Sequence, residues 1–311
     1  MDKKIRIIAI IAVVIFSVYV LNSPDITDTI IPLPLPLSTS NSESDSVSIL
    51  AKNLDNPRAI AISDDRIFVT EKDGLIRVIQ DNNLLESPLA TFRSPNVFDG
   101  GLLGIALHPN FSNNHYIYVF LTYNEDGNLW NKILRITELE NKLQDAETIF
   151  DKIPGSSFTN GGFVKFGPYG KLYVGACAVY DSFHLPQVLD SLSGKILRLN
   201  DDGTIPDDNP FSDSPIYSLG HRNPQGMTWD DDGNMFVAEI GPEKNDEINL
   251  IQPGKNYGWP EQQCSGNDQF EDAILCYDPS IEPGGILFQA GEKLNFERLG
   301  PLRSKRQYFF G

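Results

Sequence analysis

Basic residues are scarce in this chain. Lys and Arg number 25 against 42 Asp and Glu, a formal net charge of −17 over 311 residues. Nucleic acid is therefore not an expected partner, because phosphate binding is driven by cationic surface. Cysteine is scarcer still. There are three, and the spacing of Cys177, Cys264 and Cys276 fits no zinc-ligand pattern. The Asp-rich turns lack the spacing and terminal Glu of an EF-hand, so they read as ordinary turns. Helical periodicity is weak throughout.

The apolar run Ile7–Leu21, interrupted only by Ser17, spans about 22 Å at helical rise. That is longer than a signal-peptide core and shorter than a full membrane crossing. No small-x-small cleavage site follows, since Tyr19 and Leu21 are bulky, and no lipobox cysteine is present. Residues 1–22 are expected to form an uncleaved membrane anchor, with a removed signal segment as the alternative. Lys3, Lys4 and Arg6 ahead of the run favour a cytoplasmic N-terminus and an exported body. Residues 23–48, with Pro32, Pro34 and Pro36 followed by Ser, Asn, Glu and Asp, read as an extended linker. The globular part is then 49–311. In an exported body Cys264 and Cys276, within one loop region, are expected to pair, and Cys177 to be a buried small hydrophobe.

A repeat runs through that part. An apolar strand carrying Gly or Ala leads through a turn to a strand of the form apolar–aromatic–Val. The pairs are 59–63 with Ile67-Phe68-Val69, 103–108 with Ile117-Tyr118-Val119, 162–167 with Leu172-Tyr173-Val174, and 226–230 with Met235-Phe236-Val237. Each pair is followed by an alternating strand, at 75–79, 133–136, 195–199 and 247–251. Repeats of short strands at this period predict an all-β propeller rather than a sandwich. The length suffices for four blades and part of a fifth. Gln307–Gly311 reads as the opening of a further aromatic strand, so the chain is expected to stop short of a complete ring.

The densest chemistry lies in Gly220–Pro260. It offers one fixed cation, Arg222, and carbonyls at Gly241 and Pro242 that a proline turn would splay outward. It also holds adjacent carboxylates at Asp246 and Glu247, and an Asn-Tyr-Gly-Trp turn. Hard oxygens of this kind suit Ca²⁺ better than a transition metal. Three further islands are Gly101-Leu102-Leu103-Gly104 with Leu107-His108-Pro109, Asn160-Gly161-Gly162 with Phe166-Gly167-Pro168, and 194–197 with Asp208-Asn209-Pro210-Phe211.

Together, in this order, these islands make the chain similar to the glucose/sorbosone dehydrogenase family, soluble quinoproteins built as six-bladed β-propellers. The resemblance implies oxidation of an aldose at C1 with pyrroloquinoline quinone (PQQ) and Ca²⁺. It implies an ion held by the Gly241 and Pro242 carbonyls, with Asn223 positioning the cofactor and Arg222 stabilising developing negative charge. It also implies a second, structural Ca²⁺ bound by Glu247 and Tyr257, with Asp246 as a further ligand.

The chain departs from that pattern at two linked positions. Where the family carries a histidine base ahead of Asn-Gly-Gly, this chain has Thr159, and where the family carries the aspartate that orients it, this chain has Ala178. A threonine hydroxyl is no base near neutral pH without help. Asp99, where the family usually has Gln or Glu, is the first replacement base to consider, and His184 with Asp181 the second. His108 and His115 read as structural, and His221 as a packing neighbour of Arg222. The family's late Lys and Arg contacts to the cofactor cannot be matched to Arg298, Arg303, Lys305 or Arg306. Three functions follow: an aldose dehydrogenase, a catalytically degraded Ca²⁺-stabilised propeller that binds carbohydrate or protein, and a Ca²⁺-dependent lactonase.

Overall fold

Four antiparallel sheets hold every strand in the computed structural model, which describes residues 49–63, 65–180 and 182–288. The first contains β1 (Pro57–Ile62), β2 (Arg66–Glu71), β3 (Leu75–Gln80) and β4 (Asn83–Leu84), with β5 (Ala90–Thr91) also paired to β3. The second contains β6 (Leu102–Leu107), β7 (Tyr116–Glu125), β8 (Asn128–Leu139) and β9 (Lys142–Pro154). The third contains β10 (Gly161–Phe166), β11 (Leu172–Ala176), β12 (Lys195–Leu199) and β13 (Ile216–Leu219), and the fourth β14 (Pro224–Trp229), β15 (Met235–Glu239), β16 (Asp246–Ile251) and β17 (Leu275–Tyr277). Each sheet is a meander in which consecutive strands pair, except that β5 joins β3 rather than β4, as expected of a propeller blade.

The apolar–aromatic–Val strands are the second strand of each blade. They show no polar face because neither face is wet: β2, β7 and β11 are buried along most of their lengths. Phe68 and Tyr118 have no exposed surface, and Tyr118 satisfies its hydroxyl on the Asp201 carbonyl at 2.9 Å. Burial pushes the Tyr118 phenol up. Truncating either ring to Ala would cost roughly 3–5 kcal/mol. The outer strand β9 is exposed along most of its length, and its Lys142, Asp145, Glu147, Asp151 and Lys152 discourage pairing with another chain.

The inner strands β1, β6, β10 and β14 lie side by side in that order. Their approach is close enough to demand glycine. A Cβ on Gly104 would sit 2.2 Å from the Gly162 carbonyl, and one on Gly226 would sit 2.7 Å from Gly285. The segment after β17 therefore returns to the inner ring beside β14, where the Phe288 N–H donates to Thr228 Oγ1 at 3.0 Å. Four blades are present among the described residues. The fifth-blade strand expected at 307–311, the anchor and the linker lie outside them. No helix of the described residues is long and apolar enough to cross a membrane.

All four inner strands slip register near their first residues, between Pro57 and Ala59, Leu102 and Ile105, Gly161 and Val164, and Pro224 and Gly226. A bulge bends a strand and re-aims its side chains. Repeated at the same end of every inner strand, it shapes one mouth of the ring.

Candidate active site at the mouth of the ring

Asp99, Thr159 and Arg222, singled out from the sequence, and Arg58, which was not, sit just before or within these bulges. Arg58 lies inside the β1 bulge, while Asp99, Thr159 and Arg222 precede β6, β10 and β14 by two or three residues. Hydrogen bonds link them from blade to blade. Arg58 pairs with Asp99 Oδ1 at 2.8 Å, and Asp99 Oδ2 accepts from the Asn160 N–H at 3.3 Å. Asn223 Oδ1 accepts from the Gly161 N–H at 3.1 Å, and the Arg222 carbonyl accepts from the Ala178 N–H at 2.7 Å.

Arg222 is placed by its neighbours in sequence. Gly220 has φ +76°, and a Cβ there would meet Asn256 Oδ1 at 2.1 Å. That contact lets the Asn-Tyr-Gly-Trp turn lie alongside, with Tyr257 and Trp259 donating N–H groups to the carbonyls of Leu219 and Gly220 at 2.9 Å each. Trp259 is thereby held under the Arg222 guanidinium, 5.5 Å from ring centroid to Cζ, within cation–π range. Arg222 Nη1 donates to the Ile240 carbonyl at 2.7 Å and also to the Gly241 carbonyl. Burial lowers its pKa, opposed by the charge of Asp246.

Two carboxylates face each other beside these carbonyls. Glu239 and Glu247 are direct cross-strand partners on β15 and β16, and Asn249 Nδ2 donates to both at 3.0 Å. Glu239 also accepts from His221 Nδ1 at 2.6 Å and from the Arg222 N–H at 3.0 Å. Burial, then repulsion from Glu239, pushes the Glu247 carboxyl up to about 7. Asn249 Oδ1 is buried without a partner. Two opposed carboxylates, an orphaned amide oxygen and a main-chain carbonyl already holding a cationic group fit a hard cation. Among the described residues no group of three or more His, Cys, Asp or Glu is arranged to hold a metal. A cation here would thus rest on two carboxylates and neutral oxygens.

The other expected ligands are engaged elsewhere. Asp246 is fully buried, and its Oδ1 accepts from the Gly241 N–H at 2.8 Å. Its Oδ2 accepts from Ser280 Oγ and from the N–H groups of Ile281 and Glu282, each at 2.7 Å. The side chain therefore organises the turn around Gly241 and the returning segment. The Tyr257 hydroxyl donates to the Leu250 carbonyl at 2.6 Å, which leaves its main-chain carbonyl as the atom it can offer a cation. Asn223 Oδ1 bridges blades through Gly161 and Gln225. Pro242 lines the pocket with Arg222, Glu239, Gly241, Glu247 and Trp259.

Thr159 and Ala178 meet: Thr159 Oγ1 donates to the Ala178 carbonyl at 2.9 Å. Cys177, buried, donates its thiol to the Thr159 carbonyl at 2.6 Å, and burial pushes that thiol up to about 12. The two altered positions form one contact, in which the hydroxyl proton already has an acceptor. Asp99 is tied on one oxygen to Arg58 and on the other to Asn160. His184 is exposed at the start of the short 3₁₀ turn Leu185–Gln187, and Asp181 lies outside the described residues, as do Arg298, Arg303, Lys305 and Arg306. His108 packs on Phe166 and Tyr118. His115 closes the helical turn Phe111–Asn114, but its Nδ1 is buried without a partner, so it is less fully satisfied than a structural histidine is expected to be.

Three residues went unnoticed in the sequence. Glu239 ends an apolar strand, and its only signal was its mirror position to Glu247 about the Gly-Pro turn. Arg58 opens a strand. Lys195, fully buried on β12, donates to the carbonyls of Leu185, Pro186 and Ser193 at 2.8–2.9 Å and so pins the β11–β12 loop. Burial pushes its ammonium down to about 7.

Comparison with known proteins agrees with the propeller fold. A sequence model described as Glucose / Sorbosone dehydrogenase matches residues 54–299. The aldose sugar dehydrogenase YliI of Escherichia coli is 37% identical over 69% of this chain and 61% of its own length. Quinoprotein glucose dehydrogenase B of Acinetobacter calcoaceticus is 35% identical over 68% of this chain and 52% of its own. The PQQ-bound aldose sugar dehydrogenase of Streptomyces coelicolor superposes with a TM-score of 0.71 at 35% identity, over 78% of this chain and 74% of that one. The chain thus spans between half and two-thirds of the length of these two curated relatives.

Proposed function

Because this chain belongs to the glucose/sorbosone dehydrogenase family, with a propeller of the six-bladed quinoprotein type, we propose that its mouth is an aldose-oxidising quinoprotein site. One observation carries the reading: the Arg222 guanidinium against the Ile240 and Gly241 carbonyls, beside the opposed Glu239 and Glu247. When bound, PQQ supplies a two-electron acceptor and Ca²⁺ the polarisation that makes it electrophilic.

The chain's own residues would do the following. The Gly241 and Pro242 carbonyls would hold the catalytic ion, and Glu239, Glu247 and the Tyr257 carbonyl the structural one. Arg222 keeps a desolvated positive charge where negative charge develops, stiffened from below by Trp259. His221 and Asn249 fix the Glu239 carboxylate in place. Proton removal from the sugar falls to Asp99, a carboxylate on the Thr159 side of the mouth. The Cys264–Cys276 disulfide supports an extracytoplasmic location, and the apolar run 7–21 supports a membrane tether.

Reconstitution with PQQ and CaCl₂ tests the site, read as quinone absorbance that follows the protein on gel filtration. Dye reduction by aldoses then tests turnover. Absence of bound quinone would sink the reading. A second reading, a propeller that binds sugar or protein without oxidising it, is favoured by the Thr159–Ala178 contact. Bound quinone without dye reduction would select it. No observation favours lactone hydrolysis.

A further inference from the structure

Large exposed hydrophobics on a soluble fold tend to mark a binding surface when they are contiguous. Five aromatic rings here form a single file around the mouth. Ring centroids are separated by 6.4 Å from Phe98 to Phe158, 5.5 Å to Tyr180, 6.2 Å to Phe183 and 6.2 Å to Trp259. The rings come from separate loops: the connections before β6 and β10, the β11–β12 loop, and the Asn-Tyr-Gly-Trp turn. Their exposure falls along the file, from 79% at Phe98 through 57%, 54% and 47% to 9% at Trp259. The file therefore starts in solvent and ends beneath Arg222, in the pocket that Trp259 lines. The buried indole N–H of Trp259 has no partner.

We propose that this file is a stacking rail for an oligosaccharide, which leads the chain end of the sugar into the Arg222 pocket. The inference rests on the reading of that pocket as a sugar site, and it names the substrate class as an oligosaccharide rather than a free monosaccharide. Pyranose rings present a C–H face to the electron-rich face of an aromatic ring, while their hydroxyls project at the edge. The edge chemistry is present. Asp99 follows Phe98, Thr159 follows Phe158, and Ser182 and His184 flank Phe183, so these three stacking rings have polar neighbours in sequence. The unpartnered Trp259 N–H adds a donor at the inner end. A file one ring wide is narrow for a stable protein interface, which needs a broad face. The net charge of −17 opposes an anionic bilayer.

The test uses the full chain without cofactor. Titration calorimetry compares glucose with malto-, cello-, xylo- and chito-hexaose, on the wild type and on a Phe158→Ala/Tyr180→Ala double variant. At least one hexaose is expected to bind tenfold or more tighter than glucose, and the double variant to lose that advantage while keeping glucose affinity and the thermal midpoint. Both rings are more than half exposed, so the fold should survive their removal. Affinity independent of sugar length, or length dependence retained by the double variant, would overturn the proposal. So would binding to phosphatidylcholine–phosphatidylglycerol vesicles that the variant loses while no hexaose outbinds glucose. Quinone absorbance in the reconstituted wild type separates the two ideas. If quinone binds and length dependence is absent, the rail alone fails; if length dependence holds and quinone does not bind, the cofactor reading fails.

Discussion

The two sides of the mouth are built to different standards. On the fourth-blade side, Glu239 is pinned by three donors, Glu247 opposes it across the ladder, and Arg222 rests between two carbonyls and an indole. Every group there is oriented by another, the arrangement a charge-stabilising site requires. On the Thr159 side the same blade positions hold a hydroxyl bonded to a main-chain carbonyl and a carboxylate bound to Arg58. On the proposed reading, the first side would carry the groups that bind and polarise, while the second has Thr159 where the family resemblance implies a histidine base. If that reading holds, the difference teaches that cofactor binding and proton transfer would be separable in this architecture, because they would be carried by loops ahead of different blades.

The comparison breaks most sharply at Glu239. Glu239→Ala would leave His221, the Arg222 N–H and Asn249 with unanswered donors in a buried site, and should cost about 3 kcal/mol in urea denaturation. A loss near zero would mean that the fourth-blade side is no more organised than the other. Next in size is repair of the weaker side. Thr159→His with Ala178→Asp places base and orienter at two positions already in contact, and should raise aldose-dependent dye reduction of the reconstituted protein by about 10²-fold. No gain would show that something beyond the base is missing.

A third test concerns charge. The Glu247 carboxyl is raised in the fold to about 7, above its ordinary value of 4.5. A raised carboxyl binds its proton more tightly folded than unfolded, so its contribution is complete below about pH 4.5 and is lost as pH rises through 7. Cation-free protein should therefore be more stable near pH 5 than near pH 8 by about 2 kcal/mol, followed by thermal melting. CaCl₂ should restore the loss at pH 8, and Glu247→Gln should flatten the profile. The smallest effect on stability is expected from Asp99→Asn. It would weaken the partly exposed pair with Arg58 by about 0.5–1 kcal/mol and leave Ca²⁺ binding unchanged, measured by calorimetry. A change in Ca²⁺ affinity would show the two sides to be coupled.

Much of this was legible in the sequence for a physical reason. Strands buried on both faces carry uninterrupted apolar and aromatic residues, so Ile67-Phe68-Val69 and its three counterparts announce the second strand of each blade. The Gly-Pro turn, Arg222 and Glu247 were visible because they cluster within a short segment. Asp246, expected as a further ligand, could not be told apart from Glu247 because adjacent carboxylates look alike in sequence, whereas strand alternation sends one to the pocket and the other to N–H groups of the segment after β17. Glu239 and Arg58 were missed because their roles depend on what lies opposite, on another strand or another blade. The aromatic file was unreadable for the same reason, since its rings come from loops separated by up to 161 positions, from Phe98 to Trp259.

The slipped register at the head of each inner strand has a consequence for how such a ring can change. Residues inside or ahead of a slip are not fixed by ladder pairing, so exchanging them leaves the sheet below undisturbed. The blades act as a mount, and the mouth as a set of interchangeable fittings. A threonine at 159, where the family resemblance implies a histidine, is the kind of exchange such a mount tolerates, and Thr159→His should be tolerated equally well.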